Sequence, residues 1–158
     1  MLTRKAIKKG FTLVEILIVV VILGILAAIV IPQFTSASES AKRSSVISQL
    51  HTIRSQLELA QIQHNGSYPD LVTSQWVPLT TETEPDLAYT ASDASGNEMG
   101  PYMQQAPVNP FSALNIPSTV AADNSGAWEY DRQSGRIRAI IPAAKIAELD
   151  FSTNDALP

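Results

Sequence analysis

The chain has 158 residues, enough for one domain and an anchor. It contains no cysteine, which excludes disulfides, thiolate nucleophiles and cysteine metal sites. Four of its eleven basic residues lie within the first ten positions, and the remainder carries seven basic against fifteen acidic residues, a balance of −8. Such an acidic body does not favour nucleic-acid binding, because nucleic acids are held by Lys and Arg side chains on phosphates.

A basic leader, residues 1–10, is followed by an apolar run from Phe11 to Ile31. As a helix rising about 1.5 Å per residue, this run covers about 30 Å, close to the thickness of a hydrocarbon core. It is longer than the apolar region of a secretory signal peptide, and no small-residue cleavage site follows it. The run therefore predicts a single membrane-spanning helix over residues 11–32, with the leader on the cytoplasmic side by the positive-inside rule.

Glu15 is a carboxylate near the start of the apolar run. An ionised side chain at membrane depth is costly and is expected to serve a function. It can offset the positive end of its own helix dipole, or it can meet a positive charge on a neighbouring copy, and both can hold. Gly24 and Pro32 are predicted points of bending, since proline removes a backbone hydrogen bond; the bend serves either helix repacking or the exit from the membrane.

Residues 33–66 are predicted to form the amphipathic second half of the same helix. Its apolar stripe follows spacings of four and three and consists of Val46, Leu50, Ile53, Leu57 and Ala60. We expect the stripe to pack on the chain's own domain, with a coiled coil between subunits as the alternative. The helix is expected to end at residues 64–66, where Asn and Gly tolerate the left-handed conformation.

The two histidines, His51 and His64, are thirteen residues apart and do not have a short metal-binding spacing. Each is expected at the surface or its edge. No motif for a serine, zinc or phosphate-binding active site is present, so the sequence does not indicate an enzyme.

Residues 67–158 are predicted to form a globular domain. Residues 67–126 predict turns, one or two short strands and an exposed loop at 80–98. Residues 127–141 alternate in polarity on both sides of a turn, which predicts a β-hairpin with two acids opposite two arginines. A short helix is expected over 143–149, followed by a loose tail. The predicted class is α+β: a long bent N-terminal helix, transmembrane in its first half, packed against a small C-terminal antiparallel sheet.

The string Lys9-Gly10-Phe11-Thr12-Leu13-Val14-Glu15 closely resembles the leader junction of the type IV pilin and type II secretion pseudopilin family. The resemblance implies that a prepilin peptidase cuts between Gly10 and Phe11 and methylates the new Phe11 amine. It also implies that Glu15 of one subunit pairs with the Phe11 amine of a neighbour. Gly24 and Pro32 match positions that accompany helix bending in this family.

Two further strings, Gly100-Pro101-Tyr102 and Pro107-Val108-Asn109-Pro110-Phe111, look like landmarks of the major pseudopilins. Asn109 and Phe111 stand where that subfamily has Asp and Trp. Many of its members bind calcium in an acidic C-terminal loop. The nearest candidate here is Asp123 with Asn124, which is short of carboxylates for an ion that takes six to eight oxygens. No other metal or cofactor is expected.

The resemblance implies a structural filament subunit that polymerises into a type II secretion pseudopilus. It implies a single pass through the bacterial inner membrane, with a cytoplasmic N-terminus and a periplasmic C-terminal domain. The expected partners are further copies of the chain, the prepilin peptidase, the inner-membrane assembly platform and minor pseudopilins. A type IV pilus pilin is the alternative function, and a single-pass anchored periplasmic binding or adaptor protein is a further one.

Overall fold

The computed structural model of the chain describes residues 10–86, 88–91, 96–112, 119–123 and 125–157. The basic residues of the predicted leader lie outside these ranges. The chain divides into two compact units, Met1–Glu39 and Ser40–Pro158, and the secondary structure apart from the first part of the long helix lies in the second unit.

Helix α1 spans Leu13–Gln63. It ends where predicted: Asn65 and Gly66 adopt positive φ angles of 54° and 85°, and the Gly66 N–H donates to the Gln61 carbonyl at 2.8 Å. This bond satisfies a terminal carbonyl that has no partner within the helix.

The apolar stripe of α1 is buried at all five predicted positions, so its packing on the chain's own domain is confirmed. The flanking residues differ from the stripe. Ile47 packs against the core, whereas Leu59 and Ile62 remain 43% and 76% exposed. The spacing of four and three therefore identified the buried face, while single apolar residues beside it point to solvent.

Two short helices that the sequence did not predict follow α1: α2, Leu71–Ser74, and α3, Val77–Thr80. Asp70 caps α2, because one of its carboxylate oxygens accepts from the backbone N–H groups of Val72 and Thr73 at 3.2 and 3.0 Å. Four-residue helices carry too few positions to reveal a period.

The sheet has four strands in the order β1-β2-β3-β4: Val120–Ala121, Trp128–Asp131, Arg136–Ile140 and Ala156–Leu157. The central β2–β3 hairpin is antiparallel and confirms the prediction that two acids lie opposite two arginines. Glu129 pairs with Arg138, and Asp131 pairs with Arg136. The outer pairs are parallel, so the sheet is mixed and the antiparallel prediction is wrong for its edges. Strands of two residues show no alternation by which the sequence could reveal them, and alternation does not report the direction of pairing.

The segment at 107–111 is joined to the sheet by Asn109, which is 1% exposed. Its side-chain amide donates to the carbonyls of Ala127 and Ile140, both at 2.8 Å. Its carbonyl oxygen accepts from the Phe111 N–H at 2.9 Å. Because a carbonyl can only accept a hydrogen bond, the atom of Asn109 that faces these two carbonyls must be the amide nitrogen.

Helix α4, Ala143–Glu148, confirms the predicted short helix, but the tail after it is not loose. Phe151 and Ala156 are buried, and Ala156 pairs with Ala139 of β3.

Three arginines donate to backbone carbonyls of this tail: Arg43 to Asp150, Arg138 to Thr153 and Arg54 to Asn154, at 3.0, 3.4 and 2.7 Å. These bonds hold a segment whose sequence carries no strand pattern.

The expectation for the histidines is correct for His51, which is exposed, and wrong for His64, which is 0% exposed. His64 is the first residue after α1, where a polar side chain usually reaches water. Here the segments around Thr83, Tyr89 and Tyr102 cover it, and their position was not apparent from the sequence.

Candidate assembly site

The first part of α1 presents an apolar surface that the described residues leave uncovered. Its large apolar side chains from Phe11 to Ile31 are between 40% and 83% exposed. In the described part of the chain, α1 is the one helix long and apolar enough to cross a membrane. A soluble fold buries most of its Leu, Ile and Val side chains. Because this helix leaves so many of them exposed, we expect lipid or other protein to cover it.

Thr12 and Glu15 form a capping box at the start of α1. The Glu15 Oε2 atom accepts from the backbone N–H and from the hydroxyl of Thr12, both at 2.8 Å. The Glu15 N–H in turn donates to the Thr12 hydroxyl at 3.2 Å. These bonds satisfy donors that a helix N-terminus leaves without partners.

Thr12 was missed as a site residue, although Thr-x-x-Glu directly before an apolar run is the signature of this cap. Both bonds from Thr12 reach the same carboxylate oxygen. In the part of the chain that the structure describes, the second oxygen, Oε1, accepts no hydrogen bond. Glu15 is thus anchored through one oxygen and can accept a further N–H or ammonium donor through the other.

Phe11 lies immediately before this cap, and the described contacts do not join its side chain to Glu15. Gly24 and Pro32 both lie inside α1, which continues through them. The hydroxyls of Thr35 and Ser36 donate to the carbonyls of Ile31 and Pro32 at 3.2 Å, within one turn of the proline. Back-bonding of this kind often accompanies helix bending, and the predicted bend stays a prediction.

The calcium candidate supplies few ligands. Asp123 is exposed, and its carboxylate accepts from the Ser125 N–H at 2.9 Å; hydrogen bonds from Ser125 lower the pKa of that carboxyl. Asn124 lies outside the described residues. Among the residues with described positions, no group of three or more His, Asp or Glu side chains could hold a metal ion. One carboxylate does not fit the oxygen set of Ca²⁺, so no calcium step is assigned here.

Comparison with known proteins identifies the family of this chain. Residues 5–31 match the prokaryotic N-terminal methylation motif. The type II secretion system core protein G of Klebsiella michiganensis is 30% identical over 115 residues, which cover 68% of this chain and 71% of that protein. The chain belongs to the family of type II secretion core proteins G, the major pseudopilins.

Other relatives of this major pseudopilin chain include further core proteins G and a fimbrial protein. The core protein G of Escherichia coli K12 is 32% identical over 106 residues, 66% of this chain and 67% of that protein. A fimbrial protein of Pseudomonas aeruginosa is 30% identical over 135 residues, 77% of this chain and 83% of that protein. Further core proteins G match over 62 residues only, between 39% and 44% of their own length. No solved structure matches the chain.

Pseudopilins are structural proteins and not enzymes, and membership of their family implies processing by a prepilin peptidase and assembly into a pseudopilus. The apolar first part of α1 is consistent with an inner-membrane anchor of pilin type.

Proposed function

We propose that this chain is the subunit of a type II secretion pseudopilus. The peptidase cuts between Gly10 and Phe11, the Phe11 amine is methylated, and residues 11–32 serve first as a membrane anchor and then as the filament core. Residues 33–66 connect this core to the extracytoplasmic domain, residues 67–158. The observation that carries the proposal is the first part of α1, whose large apolar side chains are 40% to 83% exposed and which has one acid at its start, in a chain of the core protein G family.

The geometry at Glu15 suggests how neighbouring subunits register. Cleavage places a cation at Phe11, next to the cap, where the positive end of the helix dipole disfavours it. Glu15 holds Thr12 through Oε2 and keeps Oε1 for a second donor. We assign that donor to the Phe11 amine of the adjacent subunit. Removing one partner of a buried pair costs about 3–5 kcal/mol, enough to select one axial offset of the helices.

Intact-mass and peptide mass spectrometry of the protein from its membrane tests the processing step. The expected mature N-terminus is methylated Phe11. A chain that keeps residue 1, or one cut after Pro32, would contradict both the cleavage site and the use of residues 11–32 in a filament.

Glu15→Gln tests the pairing step, because the amide keeps the size of the side chain and a hydrogen bond to Thr12 but removes the charge. We expect normal cleavage and loss of filaments, measured by electron microscopy of cells that overexpress the chain. The matched control is Glu58→Gln, since Glu58 is an exposed acid on the same helix. Wild-type amounts of filament in the Glu15 variant would refute the pairing.

A type IV pilus pilin is the second candidate, favoured by the similarity to the fimbrial protein of Pseudomonas aeruginosa. A deletion strain separates the two. Loss of protein secretion with surface pili intact supports the pseudopilus, and loss of pili with secretion intact supports the pilin.

We further propose a single-pass topology with a cytoplasmic N-terminus and a periplasmic C-terminal domain. The assembly platform of the inner membrane and the minor pseudopilins are the proposed partners beyond the chain itself and its peptidase. Protease added to the periplasmic side of intact spheroplasts is expected to digest the domain and leave the leader of an uncleaved Gly10 variant protected.

A further inference from the structure

Asn65 and Gly66, which follow the end of α1, form the one Asn-Gly step in the sequence. Each of the other five asparagines precedes a residue that carries a side chain. A glycine nitrogen has no Cβ beside it, so it can approach a neighbouring group closely. Both residues are exposed, and among the described residues an added Cβ at Gly66 would meet no atom within 4 Å. The surroundings therefore leave room for a reaction between them.

The reaction open to such a step is deamidation, and asparagine is one of the thermally labile residues of proteins. The Gly66 backbone nitrogen loses its proton and attacks the Cγ atom of Asn65. A cyclic succinimide forms, and the side-chain nitrogen leaves as ammonia. Water then opens the ring at either carbonyl and gives aspartate or isoaspartate at position 65. One water is consumed and one ammonia is released, so water is the only co-reactant.

Three hydrogen bonds at the end of α1, which we call the cap of α1, hold the atoms of this reaction. The attacking group, the Gly66 N–H, donates to the Gln61 carbonyl at 2.8 Å. The Gly66 carbonyl accepts from the Gln61 side-chain amide at 3.2 Å. The leaving nitrogen, Nδ2 of Asn65, donates to the Pro85 carbonyl at 3.2 Å. The cap therefore has to open before the nitrogen of Gly66 can attack.

We propose that Asn65 is a site of spontaneous deamidation and that opening of the cap of α1 sets its rate. Each hydrogen bond shifts the equilibrium against opening by a factor of about 2 to 13. Three bonds together are expected to slow the reaction at least about tenfold relative to the unfolded chain. The site is a property of the domain and does not depend on the proposed filament.

Conversion of Asn65 weakens the end of α1. An aspartate at this position cannot donate to the Pro85 carbonyl, because a carboxylate only accepts. Its charge lies at the negative end of the helix dipole, where an anion is disfavoured. Isoaspartate adds a methylene carbon to the backbone and changes the spacing between the Gly66 N–H and the Gln61 carbonyl. Because the released ammonia is lost to solvent, altered copies accumulate with the age of the protein.

Peptide mass spectrometry of the full chain in detergent micelles measures the reaction. The protein is incubated in mildly alkaline buffer with and without guanidinium chloride, and the acid forms at position 65 are quantified over time. We expect conversion to be at least about tenfold slower in the folded chain. Equal rates with and without denaturant would overturn control by the cap.

Asn97 is the internal reference for this measurement, because it is exposed and precedes Glu98, whose side chain hinders attack by the backbone nitrogen. In denaturant Asn65 should convert faster than Asn97. Conversion of Asn65 no faster than that of Asn97 in the denatured chain would overturn the assignment of the reactive site.

Two glutamines of α1 offer a matched pair of variants. Gln61→Ala removes the side-chain bond to the Gly66 carbonyl, so conversion in the folded chain should be about 2 to 13 times faster, with the rate in denaturant unchanged. Gln56→Ala makes the same substitution away from the cap and should keep the wild-type rate. If the Gln61 variant converts no faster than the Gln56 variant, the cap does not set the rate.

Asn65→Asp tests the consequence of the reaction, because it introduces one product directly. Its melting temperature should lie about 3–8 °C below that of the wild type. A melting temperature equal to the wild-type value would overturn the statement that conversion weakens the end of α1.

Discussion

Replacing Asn109 by Asp changes one NH₂ group into an oxygen inside the domain core. In the wild type this NH₂ donates to two carbonyls, of Ala127 and Ile140, at 2.8 Å each. The new oxygen would face both carbonyls at these distances with no hydrogen between them. The change is isosteric, so packing stays the same and the effect isolates hydrogen bonding and charge.

The magnitude follows from the two lost donors and the added charge. Each hydrogen bond is worth about 0.5–1.5 kcal/mol net, and a buried unpaired carboxylate adds its desolvation cost. We expect the variant to lose about 3–5 kcal/mol of unfolding free energy at pH 7. Burial and the two carbonyls raise the pKa of the introduced carboxyl in the folded state above about 3.9, its unfolded value.

The raised pKa fixes the sign of the pH dependence. The penalty is full above the folded-state pKa, falls as the pH drops through it, and is smallest below about pH 3.9. A protonated carboxyl can donate to one of the two carbonyls, so about 1–2 kcal/mol should remain in acid. Denaturant titration of the full chain in detergent, followed by tryptophan fluorescence, measures both values.

Asn109→Ala is the control, because it removes the donors without adding a titrating group. Its loss of stability relative to the wild type should be independent of pH. An Asp variant as stable as the wild type at pH 7 would show that the amide assignment at Asn109 is wrong. A penalty that matches the Ala variant at every pH would show that the fold does not raise the pKa of the introduced carboxyl.

Further substitutions test other contacts of the domain. Arg54→Met should cost about 2–4 kcal/mol, because Arg54 donates to three groups at 2.7 to 3.1 Å; amide exchange in β4 should accelerate. Gly135→Ala should cost about 2–4 kcal/mol in thermal melts, since a Cβ would meet the Tyr68 ring, whereas Gly66→Ala, with a similar positive φ and open space, should cost about 1 kcal/mol. The Thr73 N–H donates to the Asp70 carboxylate and lowers its pKa below the ordinary value. The carboxylate therefore stabilises the fold above about pH 4, and this stabilisation is lost as the pH falls further. In the Asp70→Asn variant, the melting temperature should change less with pH over that range.

The features that the sequence predicted best are those with a period. The stripe from Val46 to Ala60 repeats every three or four residues and is buried at each position. The hairpin alternates every second residue, and its Glu129–Arg138 pair forms two hydrogen bonds of 2.8 Å. Periodicity reports which face is buried, and both elements are long enough to display it.

The features that were missed depend on contacts between distant segments. His64 is buried by residues 19 to 38 positions away, and nothing at the helix end indicates them. The tail from Asp150 to Leu157 is ordered by arginines on α1 and β3 rather than by its own pattern. At the candidate assembly site the motif predicts a role for Glu15, which stays a prediction, whereas the contacts of Thr12 became apparent only from the geometry of the cap.

The bonds of Arg54 also have a consequence for the order of events during biogenesis. Its guanidinium joins residue 54 to residues 137, 154 and 155, so its partners are separated from it by 83 to 101 positions. Because the chain is synthesised from its N-terminus, α1 leaves the ribosome well before these partners do. The stripe of α1 then has no sheet to cover it, and the domain closes only after its last strand has been delivered. Folding of this domain is therefore expected to follow, and not to accompany, its passage out of the ribosome.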